Sequence, residues 1–202
     1  MKGQSAVQTL NPTEGQDLVP PEDAALVLRR PVAEDLSFLS AYSPSADIAR
    51  MAGYSGTTDW DPRLEGLRLF DRIKASPYGW LAELNGRLVG HVRLSETEMS
   101  QRRGRLVTGL FEGANLGRGY GRRAVALALD HLFPSEGFHR IDLRVLAYNR
   151  RAIRCYLACG FSFEGLEREV FNLEGVWHGD WMMSILEHEP RLMPHSADRL
   201  FA

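Results

Sequence analysis

Hydrophobic and polar positions alternate in short blocks along the chain, and the period of the pattern switches repeatedly. Residues 26–30, Leu-Val-Leu followed by two arginines, read as a first strand. A helix follows Pro31, with Glu34, Asp35, Leu36, Phe38 and Leu39 on its turns. Over 63–75, Leu64, Leu67, Phe70 and Ile73 recur at helical spacing. Asp61 before Pro62 supplies a side-chain cap and a proline at the first helical position. Segments 78–84 and 87–94 are apolar strands around Asn85-Gly86, a dipeptide suited to the two positive φ angles of a type I′ hairpin. A strand is expected at 105–112, then a helix over 119–133 that Pro134 stops. The run 140–147, rich in Ile, Leu and Val, predicts a strand, and 150–158 predicts a helix ended by Gly160. Two last strands, 161–171 and 178–187, are joined through Glu174-Gly175. The order β-α-α-β-β-β-α-β-α-β-β describes a mixed sheet covered by helices, an α/β (α+β) domain.

The ends break this pattern. Residues 1–24 contain Pro12, Pro20 and Pro21 without a sustained period and are expected to form a disordered tail. From 189 onwards Pro190 and Pro194 interrupt the chain, and a loose extension over 189–202 is expected. The folded domain is thus drawn at 25–188. With 202 residues, 44% of them hydrophobic and 25% charged, the chain has material for one sizeable core. A net charge of −2 argues against a basic nucleic-acid-binding face. No apolar run approaches the ~20 residues of a membrane span, and no signal peptide is expected. Two cysteines, Cys155 and Cys159, suit a reducing cytoplasm better than a stapled secreted domain. They lie at i and i+4 on one helix face, where packing is the simpler reading and no metal site is expected.

Two segments carry candidate chemistry. Leu116-Gly117-Arg118-Gly119-Tyr120-Gly121-Arg122 lies between a strand and a helix. Glycines there let the backbone approach a ligand, and the helix start offers unpaired N–H groups to an anion. The spacing excludes two nucleotide motifs. Walker A is absent, and a G-x-G-x-x-G match starting at Gly117 fails because Arg122 occupies the third glycine position. The second segment runs from Asn149 through Ala152 and Tyr156 to Gly160-Phe161, again at a strand-to-helix junction. Asn149 caps the helix in the simplest reading. Tyr156, seven residues on, falls on the same helix face.

Jointly these segments resemble the GNAT superfamily of acyl-CoA-dependent N-acetyltransferases. The family loop [RQ]-x-x-G-x-[GA] is matched by Leu116-x-x-Gly119-x-Gly121, with a departure at its first position. The motif N-x-x-[SA]-x-x-x-Y-x-x-x-G-F is matched at Asn149, Ala152, Tyr156, Gly160 and Phe161. The opening Leu28-Arg29-Arg30-Pro31…Glu34-Asp35 and the ending Glu164-Gly165…Asp180…Met183-Ser184-Ile185-Leu186 look like the RimJ/RimL-like branch. The resemblance implies a GNAT fold: a mixed, mostly antiparallel sheet of six to seven strands flanked by about four helices. It implies a cytoplasmic, metal-free enzyme, monomer or homodimer, that moves an acetyl group from acetyl-CoA to a primary amine. The first acceptor expected is a protein N-terminal amine. A small amine, polyamine or aminoglycoside-type, is the alternative, and a non-catalytic acyl-CoA-binding module is a third reading.

The same resemblance distributes the roles. Leu110, Phe111, Gly117, Arg118, Gly119, Tyr120, Gly121, Arg122, Asn149 and Tyr156 would contact acetyl-CoA. The strand segment 108–112 would pair with its pantetheine arm. Tyr156 would protonate the leaving thiolate, since a phenol with pKa about 10 holds its proton at neutral pH. The attacking ammonium, with pKa near ~10, must first lose a proton. A glutamate that some members carry five residues before the motif asparagine is replaced here by Arg144. Glu112 is therefore the first choice as base, with His91, His178, Glu164 and a water chain as alternatives. Arg150, Arg151 and Arg154 could meet the 3′-phosphate. Asp59, Trp60 and Asp61 could line the acceptor side.

Overall fold

The computed structural model describes residues 25–54 and 61–201. The tail expected over 1–24, and Asp59 and Trp60, lie outside the described residues. An eight-stranded sheet forms the frame, in the order β6-β7-β5-β4-β3-β2-β1-β8. Its strands are β1 (Leu26–Arg29), β2 (Gly79–Leu84), β3 (Arg87–Glu98), β4 (Arg103–Leu110), β5 (Arg140–Leu146), β6 (Ser162–Leu173), β7 (Val176–Leu186) and β8 (Arg199–Phe201). Five helices accompany them: α1 (Asp35–Ala41), α2 (Ala46–Met51), α3 (Pro62–Ala75), α4 (Tyr120–Leu132) and α5 (Arg150–Ala158). All pairings are antiparallel except β4 with β5 and β1 with β8. The mixed, mostly antiparallel sheet is as expected. The added elements are α2 and β8, both too short to show a period in sequence.

Local signals explain most boundaries. Asp61 accepts hydrogen bonds from the N–H groups of Arg63 and Leu64 at the start of α3. Asn85 and Gly86 take φ of 51° and 77°, the I′ turn expected between β2 and β3. Glu174 and Gly175 repeat that geometry between β6 and β7. At the end of α5, Gly160 has φ 103°, and a Cβ there would sit 2.6 Å from the Pro190 carbonyl oxygen. The Leu-Arg-Arg-Pro opening is structural. Arg29 donates to both carboxylate oxygens of Asp35 at 2.8 and 2.7 Å, and Arg30 reaches the carbonyls of Lys74, Ser76, Pro77 and Gly79 after α3.

Two apolar clusters lie on opposite faces of the sheet. The larger packs α4 and α5 on the central strands through Val125, Leu129, Leu132, Phe138, Ile141 and Phe161 among others. The smaller holds α1 and α3 through Leu39, Phe70, Ile73, Leu81 and Phe111. The C-terminal segment departs from the loose extension expected. Asp198, whose side chain is fully buried, accepts from the Leu26 N–H at 3.0 Å and pairs with Arg123 of α4 at 2.5 Å. β8 then continues the sheet beyond β1. An ion pair between distant residues orders this end, which no local pattern reveals.

Candidate active site

β4 and β5 form three rungs only, ending at Arg105↔Asp142, although β4 runs on to Leu110 and β5 to Leu146. The strands then diverge. Residues 106–110 of β4 pair with β3 on one side and leave their other edge without a strand partner. Such an edge offers free N–H and C=O groups to an extended ligand.

A cavity of about 580 Å³ opens beside this edge. The loop Leu116–Arg122, the start of α4 and one face of α5 line it. Gly117 and Gly119 adopt φ of 79° and 81°, which aims the backbone of the loop around the first turn of α4. A Cβ at Gly121 would meet Cys155 Sγ and Leu110 at 3.8 Å, an ordinary contact distance, so the loop lies close against α5 and β4. Unpaired N–H groups at the start of α4 and the guanidiniums of Arg118, Arg122, Arg151 and Arg154 make this end suited to phosphates. Arg151 also pairs with Asp47 at 2.7 Å, and Arg150 is not among the lining residues. Leu110, Gly117, Arg118, Gly119, Tyr120, Gly121, Arg122, Asn149 and Tyr156 thus all converge on this cleft.

A second cavity, of about 380 Å³, meets the first at the splayed strands. Thr108, Gly109, Leu110, Asn149, Ala152 and Tyr156 line both. Asn149 uses its side chain to cap α5 at Ala152 N and to donate to the Met51 carbonyl, each at 3.1 Å, which fastens α2 over the junction. Tyr156 stands edge-on to Phe161 with ring centroids 5.8 Å apart and is 8% exposed. Burial and the neighbouring cysteines push its hydroxyl well above the ordinary phenol range, so it stays protonated across any working pH. Cys155 lines the cleft, and a hydrogen bond from Cys159 holds its thiol below the usual range.

The sheet brings unexpected polar groups to the second cavity. His91 and Arg93 alternate along β3 and face away from the larger core, where Val92 and Leu94 are buried. Burial, with Arg93 nearby, pushes His91 down to about 4, so the imidazole is neutral at pH 7. Its ring lies over Gly109, where a Cβ would stand 2.9 Å from Nε2. Asp180 of β7 enters from the far wall; burial and then Glu167 raise its pKa. His91 Nδ1, Arg93 Nε and Asp180 Oδ1 are all buried without a hydrogen-bond partner among the described residues. Orphaned buried polar atoms are costly, and three around one cavity give it free hydrogen-bonding capacity for a ligand or water.

Other expected residues lie elsewhere. Glu112 follows β4 and lines neither cavity; its carboxylate is 43% exposed and faces Arg87 at 3.8 Å. The strand ends two residues before it. Phe111 packs into the smaller core against Phe38 and Tyr42 and touches only the second cavity. Its ring is a floor on that side, away from the phosphate loop. Glu164 is held by both Arg140 guanidinium nitrogens, which keep its carboxyl low. His178 stacks edge-on to Tyr148 outside both cavities. The signal for His91 and Arg93 was present in sequence, as two polar positions two apart inside an apolar strand. Asp180 had none, because its relevance arises from strand order.

The chain is similar to several known acetyltransferases. Its residues 45–161 match the Acetyltransferase (GNAT) family. It is 26% identical over 171 residues to the spermidine N(1)-acetyltransferase of Escherichia coli K12, covering 84% of this chain and 90% of that one. It is 28% identical over 129 residues to the probable N-acetyltransferase YjcK of Bacillus subtilis, covering 64% and 68%. The crystal structure of spermidine N-acetyltransferase from Vibrio cholerae with CoA and spermine superposes with a TM-score of 0.66 at 25% identity, over 80% of this chain and 95% of that one. The splayed strands, the glycine loop on α4 and Tyr156 on α5 agree with this match. The chain belongs to the GNAT family and is an acyl-CoA-dependent N-acetyltransferase that uses acetyl-CoA to acetylate an amine.

Proposed function

We propose that the acceptor is a small-molecule amine rather than a protein N-terminus. The observation that carries this reading is the second cavity, about 380 Å³ in volume and joined to the acetyl-CoA cleft at Tyr156. It is sized for a small ligand and walled by α2, α3, β5 and β7. The relatives named as spermidine acetyltransferases support the same class. A polyamine acceptor is the second reading, and it rests on those names. The features that resembled the RimJ/RimL-like branch do not decide between acceptors, because Arg29 and Arg30 serve the fold.

Acetyl-CoA supplies the activated acetyl group. The free edge of β4 at 106–110 aligns its arm, and the first turn of α4 with Arg118 and Arg122 holds its phosphates. Tyr156 donates a proton to the departing thiolate. Asp180 faces the cavity with a raised pKa and accepts the proton of the incoming ammonium, directly or through water. Glu112 lines neither cavity and faces Arg87, which favours Asp180 for that role.

The test is acetylation of spermidine, simple diamines, amino acids and short peptides, followed by mass spectrometry. Products on small amines support the reading. Acetylated peptide N-termini with no small-amine product overturn it.

A further inference from the structure

The charge of the second cavity does not fit a purely cationic ligand. Arg72, on the α3 face that also carries Glu65 and Leu69, points into it beside Arg93. Neither guanidinium forms a hydrogen bond or ion pair with any carboxylate among the described residues. Several other arginines behave differently: Arg29, Arg103, Arg105, Arg140 and Arg144 each hold a glutamate or aspartate. Burial and the charge of Arg72 both depress the pKa of Arg93, the direction expected of two cations brought together without a counter-ion. Arg93 Nε is buried and unpartnered. Across the cavity Asp180 Oδ1 is equally unpartnered. Glu65 and Arg144 also line the cavity, but Glu65 is held by Arg68 and Arg144 by Glu167, so one wall keeps two guanidiniums without a bonded anion and the other a carboxylate oxygen without a bonded donor.

We propose that the acceptor is an amine that also carries a carboxylate, an amino-acid-like molecule whose anionic group sits between Arg72 and Arg93 while its amine faces Asp180 and the thioester. This rests on the small-amine reading and narrows it. One ligand of that kind satisfies the orphaned atoms on both walls. Spermidine satisfies Asp180 alone and brings positive charge towards two unneutralised guanidiniums. Two strands separate the walls on either side of the splay, so acceptors with an amine and carboxylate a few carbons apart match the span better than glycine does. Guanidinium fits a carboxylate bidentately, which an unprotonated His91 beside it can supplement with a single hydrogen bond.

The experiment compares kcat/KM for amino acids with that for their amides, which keep size and amine but lose the negative charge. Spermidine and a short peptide serve as further acceptors. The acid is expected to exceed its amide by roughly ten- to hundredfold, the range of a charged hydrogen bond. In Arg93→Gln that ratio should fall towards one through a higher KM for the acid. Arg72→Gln, on an exposed helix position, should lower it as well and answers the case where Arg93→Gln fails to fold. Equal use of acid and amide, or a preference for spermidine, overturns this inference and leaves the small-amine reading intact. Acetylation of the peptide alone, or of nothing in the panel, removes both.

Discussion

Tyr156→Phe isolates the hydroxyl proposed to donate the proton from everything else that residue does. The ring is 8% exposed, packs edge-on to Phe161, and belongs to the larger core, so phenylalanine keeps the packing. Stability should change by less than ~1 kcal/mol. Burial already holds the phenol protonated, so what the change removes is the acid itself and not a charge. General acid catalysis contributes typically 10²–10⁴-fold, which is about 2.7–5.5 kcal/mol of barrier at 1.36 kcal/mol per decade. Release of CoA thiol, followed with a thiol-reactive dye, should show kcat falling by about two decades or more. The acetyl-CoA Kd, read by calorimetry, should stay within about threefold, because the loop and β4 edge carry that binding. An acetyl thioester donor with a more acidic leaving thiol should recover part of the loss. A kcat within threefold of wild type would refute the assignment, as would a loss that appears wholly in acetyl-CoA affinity.

Two further outcomes follow from buried charges. Asp198→Ala removes the carboxylate that Arg123, only 15% exposed, holds and frees the Leu26 N–H. Breaking such a buried pair costs about 3–5 kcal/mol, so the melting temperature should drop by roughly 10 °C; a shift under 2 °C would show that β8 contributes nothing. His91 titrates near 4 in the folded state against ~6.5 when unfolded. As pH falls from 6.5 towards 4 the unfolded chain takes the proton first, so stability is complete above that window and declines within it, by about 2 kcal/mol at pH 5. Melting curves at pH 7.5 and 5 should show this decline in the wild type and a smaller one in His91→Gln; identical declines would assign it to other groups.

The strand and helix periods, the Asn85-Gly86 and Glu174-Gly175 turns and the Asp61-Pro62 cap are local signals, and each element they describe is present. The glycine loop before α4 was equally legible, since glycine spacing and the following helix start act through backbone geometry within a few residues. Tyr156 and Asn149 were readable for the same reason, two turns of one helix. Glu112 was expected to end the strand facing the thioester; β4 ends at Leu110, and the Glu112 side chain turns to Arg87 instead of lining a cavity. β8 and the Arg123–Asp198 pair escaped because their partners are distant in the chain, 75 residues for the ion pair and 172 for the Leu26–Asp198 hydrogen bond that leads into β8. The second cavity, proposed to take the acceptor, was invisible altogether. His91 and Arg93 come from β3, Arg72 from α3 and Asp180 from β7, and only the strand order and the divergence of β4 from β5 bring them around one space. Local backbone chemistry is written in neighbouring residues and therefore determines the donor side. The acceptor side is a sum of side chains from distant segments, and the tertiary structure alone decides which of them meet.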